Sequence, residues 1–149
     1  MSLFRHLLVP TDFGDSATRA VDYAVDLAAK TNAKVTLVHA SWLPPAAYAA
    51  YAAGLTLPTK EMEIGARQEL EALAARIRTR CPEVAVVVMT GEPWRTILEV
   101  AKRSGADAIV MGTHGQHGWS RFMLGSVAEK VVRLSPIPVL TVRGDQAAA

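Results

Sequence analysis

The stretch Ala108-Ile-Val-Met-Gly-Thr-His-Gly115, followed after nine intervening residues by Gly125-Ser-Val-Ala-Glu-Lys-Val-Val-Arg-Leu134, decides how this chain folds. Its first four residues form a short apolar run, the pattern of a strand buried on both faces. Its last eight carry apolar residues at helical spacing. Between them lies the spacing G-x2-G-x9-G-S. A strand that ends in glycines and returns through a second glycine into a helix is how α/β proteins hold phosphates. Glycine lets backbone N–H groups approach an anion, and a helix start adds unpaired donors and partial positive charge. Each glycine alone would be read as a tight turn. The joint spacing in a strand–loop–helix context points to a phosphate site.

Working outward, strand and helix patterns alternate along the whole chain. Arg5 to Pro10 reads as a buried first strand. Asp15 or Ser16 caps a helix with Ala17, Ala20, Val21, Ala24, Val25 and Ala28 on its apolar stripe. Lys34 to Ala40 is the second strand, and residues 41–59 read as a long Ala/Pro/Tyr loop, a candidate lid or contact surface. A helix follows from Thr59 to Arg80, with Met62, Ala66, Leu70, Leu73 and Ile77 on one face. Val84 to Met89 is a third strand whose unbroken apolar run predicts burial on both faces. A helix after Pro93 turns Ile97, Leu98 and Ala101 inward, and Pro138 to Val142 is the fifth strand. Strands separated by helices require right-handed crossovers, hence one parallel sheet with helices on both faces.

Composition narrows the function classes. The chain has 149 residues, half of them hydrophobic and 20% charged, which describes one globular domain. Net charge is +2, unevenly spread: residues 1–74 hold 6 Lys/Arg against 8 Asp/Glu, and residues 75–149 hold 10 against 6. A mildly cationic second half suits a small anionic ligand; no dense basic stripe suggests a nucleic-acid partner. The single Cys81 reads as an unreactive thiol at a helix end. Val35 to Thr59 carries no charge, but Pro44, Pro45, Gly54 and Pro58 would break a membrane helix there. With no signal-peptide pattern at the start, the expected location is cytoplasmic.

In an open parallel sheet, ligands sit beyond the carboxyl ends of strands where the strand order reverses. The first strand ends in Val9-Pro10-Thr11-Asp12 and the fourth at Gly112. If these strands are neighbours, Asp12 faces the glycine loop. Its carboxylate can accept from ribose hydroxyls or an adenine amino group, or it can simply form an Asx turn ahead of Ser16. Ser126 can donate to phosphate or serve as an ordinary N-cap. Arg121 is a phosphate clamp or a solvated side chain. Met111 and Val38 end strands at the same edge and either flank a base or belong to the core. His114 and His117 lack an accompanying carboxylate, which argues against a protein-held metal. A divalent ion would instead ride on the phosphates. No GxxxxGK[ST], no GxGxxG after the first strand and no Ser/His/Asp arrangement competes with this reading.

Val9-Pro-Thr-Asp12, Met111-Gly-Thr-His-Gly115, Gly125-Ser-Val-Ala-Glu129 and the closing Ser135-Pro-Ile-Pro-Val-Leu-Thr-Val142 together resemble the nucleotide-binding branch of the universal stress protein family, over nearly the whole chain. The resemblance implies a five-stranded parallel sheet in the order 3-2-1-4-5, ATP in the crevice between strands one and four, and a homodimer. An apolar fifth strand at the sheet edge is itself a reason for pairing with a second copy. The resemblance further implies that Asp12, with Pro10 and Thr11, contacts the nucleoside, and that the Val38 backbone meets adenine beside Met111. Gly112, Gly115, Gly125 and Ser126 would hold the phosphates, with His114 and Val127 lining the site and Mg2+ or Mn2+ carried on the nucleotide. Many relatives have a basic residue where this chain has Gln116. The function implied is an ATP-binding stress-response module that switches with little hydrolysis. A slow ATPase or self-phosphorylating kinase is the alternative, and a chaperone-like scaffold using residues 41–59 is a third.

Overall fold

A computed structural model describes residues 3–114 and 124–144. The chain runs β1 (His6–Pro10), α1 (Asp15–Thr31), β2 (Lys34–Ser41), α2 (Pro45–Ala52), α3 (Thr59–Ile77), β3 (Val84–Thr90), α4 (Pro93–Ser104), β4 (Ala108–Gly112), α5 (Ser126–Leu134) and β5 (Val139–Val142). The strands form one parallel sheet in the order β3-β2-β1-β4-β5. This is the order the family resemblance implies, and it places β1 and β4 side by side at the reversal.

Strand periodicity divides the core between the two faces of the sheet. Leu7 and Val9 of β1, Val35 and Leu37 of β2 and Val110 of β4 pack with the stripes of α1 and α3. Leu8, Val38, Ile109 and Met111 point the other way and pack with α4 and α5. All five β1 residues are buried. All six residues expected on the α1 stripe are buried too, as are Ile97 and Ala101 of α4. Leu98 packs against the same cluster from its margin.

Four local expectations are corrected. Residues 41–59 contain the helix α2, because Pro44 and Pro45 occupy its N-cap and first turn, where proline starts a helix rather than breaking one. The Ala-rich run that follows propagates it until Gly54, at φ 88°. None of the α2 side chains is buried. β3 is an edge strand, so its apolar run is covered unevenly: Val88 alone is fully buried and Ala85 is exposed. The N-cap of α1 is Gly14, not Asp15 or Ser16. Finally, of the face expected on α3, Ala66, Leu70, Leu73 and Ile77 engage the core, while Met62 in the first turn is 46% exposed.

Candidate functional site

Beyond the carboxyl ends of β1, β2 and β4 lies a cleft of about 760 Å³ including its open mouth. It is lined by Pro10, Thr11 and Asp12 after β1, by Val38 to Ala40 at the end of β2, and by Met111 to His114 leaving β4. Gly125, Ser126, Val127 and Ala128 at the start of α5 close one side, with Ala17 of α1 and Pro93 and Ile97 of α4. Every site residue expected from the sequence that falls among the described residues lies on this one cleft. Gly115 and Arg121, with Gln116 and His117, fall outside the described residues.

The glycine loop is clasped at its base. Gly125 N–H donates to the Thr113 carbonyl at 2.7 Å, and Thr113 N–H donates to the Val142 carbonyl at 2.9 Å. The Gly125 amide is therefore spent on the loop, contrary to its expected use on an anion. The available donors lie one step later. Glu129 N–H makes the first helical bond of α5, to Gly125 O, so the amides of Ser126, Val127 and Ala128 precede the helical ladder. Gly125 is the N-cap of α5 and Ser126 its first residue, so the N-cap reading of Ser126 does not hold. α1 starts the same way, its first bond running from Thr18 N–H to Gly14 O. Both helix starts border the cleft, and their dipoles favour an anion there.

Gly112 has a reason of its own. A Cβ there would run into Ser16 Oγ, and would lie 2.7 Å from the Ser16 carbonyl carbon and 2.9 Å from the Ala17 nitrogen. The missing side chain thus lets the end of β4 pass against the backbone of α1. Ser16, fully buried, uses the contact: its hydroxyl donates to Val142 O at 3.1 Å and accepts from His114 N–H at 3.4 Å. The His114 ring shares a 2.8 Å hydrogen bond between Nδ1 and Thr113 Oγ1, while its Nε2 is buried with no partner among the described residues. An orphaned buried nitrogen beside an open cleft is available to a ligand acceptor or donor.

Both readings of Asp12 have structural support. Its Oδ1 accepts from Gly14 N–H at 2.9 Å, which is the Asx turn, and the residue also lines the cleft. An ionised carboxylate has acceptor positions for about four hydrogen bonds, so the Asx turn does not by itself exclude a ligand contact. Val38 and Met111 are both core and wall: each is buried, and each borders the cleft. Sequence reasoning passed over His39, Thr113, Ala40, Pro93 and Ile97. The signal that could have found His39 is register. β1 stops pairing at Pro10 opposite Val38, so the next residue of β2 stands where the β1 turn departs.

An open parallel sheet with a largely apolar cleft at its topological switch point, rimmed by helix starts, defines an α/β domain of the doubly wound class. The chain belongs to the universal stress protein family, whose family model matches residues 3–143. It is 31% identical to universal stress protein YxiE of Bacillus subtilis over 149 residues, covering 95% of this chain and 100% of that protein. Among solved structures it superposes on universal stress protein UspA from Lactobacillus plantarum with a TM-score of 0.78 and 25% identity, covering 94% of this chain and 98% of the other. The universal stress protein from Archaeoglobus fulgidus in complex with dAMP gives a TM-score of 0.65 at 26% identity, covering 95% and 99%. Among the described residues no helix is long and apolar enough to cross a membrane, and no cluster of His, Cys, Asp and Glu is suited to a metal ion.

Proposed function

We propose that the cleft binds ATP and that the protein is a nucleotide-dependent regulatory module with little intrinsic hydrolysis. One observation carries the reading: segments far apart in sequence, Pro10–Asp12, Val38, Met111–His114 and Gly125–Val127, converge on a single cleft at the switch point between β1 and β4. The Archaeoglobus relative with dAMP supports an adenine nucleotide as the ligand class. Val38, Ala40, Pro93, Ile97 and Met111 offer an apolar slot for a base. The amides that precede the helical ladder of α5, the Ser126 hydroxyl and the His114 imidazole suit phosphate oxygens. Mg2+ or Mn2+ would arrive on the nucleotide. The sheet edge formed by β5, where Leu140 is 46% exposed, is the surface through which we expect two copies to pair.

The test is a thermal melt with and without Mg-ATP, alongside a steady-state ATPase assay. Ligand at a hundred times its dissociation constant stabilises the fold by about 2.7 kcal/mol. For a domain of this size that raises the melting temperature by roughly 5–10 °C. Turnover should fall far below the roughly 1–1,000 per second of typical enzymes. An unchanged melting temperature in millimolar Mg-ATP refutes the binding; sustained ATP consumption would make the protein an enzyme instead of a switch.

A further inference from the structure

We propose that His39 is a positioning residue for the nucleoside end of the cleft, holding through its Nδ1–H the turn that carries Asp12. The proposal rests on the nucleotide reading above and adds to it the part that sets nucleoside affinity.

The turn Thr11-Asp12-Phe13-Gly14 joins β1 to α1 and is held in an unfavourable shape. Phe13 sits at φ 66°, a left-handed conformation that side chains other than glycine disfavour. Such strain persists only where surrounding contacts over-determine it. Within the turn, Phe13 N–H donates to Thr11 Oγ1 at 3.0 Å and Gly14 N–H donates to Asp12 Oδ1 at 2.9 Å. At its start, Thr11 N–H donates to Val38 O at 2.9 Å, the last rung between β1 and β2. Beyond that rung the Thr11 carbonyl is taken by a side chain: His39 Nδ1 lies 2.9 Å from it. A carbonyl can only accept, so Nδ1 must carry the hydrogen, which fixes the tautomer of a neutral ring. The same imidazole stands against the Phe13 ring, centroids 4.9 Å apart and planes 30° from parallel.

His39 therefore grips the turn at two points, on either side of Asp12 in sequence. Losing the Nδ1–H bond frees the Thr11–Asp12 peptide to rotate and lets the carboxylate leave its place on the cleft wall. The cost falls on contacts to the nucleoside, and the amides at the start of α5 are untouched.

Two substitutions separate the hydrogen bond from the ring. His39→Phe keeps a ring against Phe13 and loses the donor. His39→Asn loses the ring but places an amide N–H where Nδ1 stood. By isothermal titration, His39→Phe should bind ADP and adenosine about tenfold more weakly than the parent, the size of one neutral hydrogen bond. His39→Asn should bind within about twofold of the parent, and in an Asp12→Ala background His39→Phe should cost less than twofold, as residues that act as a unit do. Equal losses in both backgrounds, no rescue by asparagine, or parental affinity in His39→Phe would each overturn the proposal. Should His39→Phe fail to melt cooperatively without ligand, His39→Ala replaces it against His39→Asn on the same criteria. Failure of the parent protein to bind ADP would instead overturn the nucleotide reading, so the two outcomes are distinct.

Discussion

Gly112→Ala should unfold this protein more readily in the complete absence of ligand. The added methyl meets Ser16 Oγ and stands 2.7 Å from the Ser16 carbonyl carbon and 2.9 Å from the Ala17 nitrogen. A flexible side-chain tip could swing aside, but two of these atoms are backbone in the first turn of α1. That turn is itself anchored, because Ala17 is buried and the Ser16 hydroxyl holds Val142 O. Relief therefore requires α1 and the β4 end to separate by several tenths of an ångström, loosening the Ser16 bonds to both β5 and His114. Overpacking a well-filled core costs about 1–3 kcal/mol. Losing the buried Ser16 bond adds about 1 kcal/mol. For a domain of this length the sum of about 2–4 kcal/mol lowers the melting temperature by roughly 5–15 °C. Differential scanning calorimetry of unliganded protein measures it, with urea unfolding as a second probe. A Gly112→Ala protein that melts like the parent but no longer binds nucleotide would refute the packing argument and return this glycine to the phosphates.

Two further predictions follow from buried and edge residues. Burial, followed by the charge of Lys34, holds the His6 imidazole below its ordinary 6.5, with its Nε2 bonded to Thr36 Oγ1 at 2.7 Å. The unfolded chain takes up the proton first, so stability is complete above pH 6.5 and falls as the pH drops below it. His6→Gln should flatten that slope below pH 6.5 in urea titrations, and an unaltered slope would contradict the assignment. Leu140→Lys places a charge on the exposed side of β5, the edge strand expected to pair with a second copy. Sedimentation velocity at micromolar concentration should show a dimer for the parent and a monomer for this variant; a monomeric parent would remove the argument.

Periodicity and local turn chemistry carried most of the fold, and the sequence alone determined them. The unbroken apolar run Leu7-Leu8-Val9 and the stripe from Ala17 to Ala28 encode a strand buried on both faces and a helix buried on one, and that property is local. The cleft was legible for a related reason: strand ends carry their own punctuation in Pro10-Thr11-Asp12 and Gly112-Thr-His114. The strand order came from the family resemblance, since periodicity does not say which strands pair. Other features depend on which segments meet. Gly112 reads as a phosphate glycine until α1 is seen lying against it. Gly125 offers an amide to an anion until Thr113 O, twelve residues earlier, is found taking it. β3 reads as buried on both faces until its place at the edge exposes Ala85. His39 is one polar residue in a charge-free stretch until the β1–β2 register sets its imidazole against the Thr11 carbonyl. A sequence records each residue's own preferences; hydrogen-bond partners and close approaches between distant segments are settled only when the sheet closes and its helices pack.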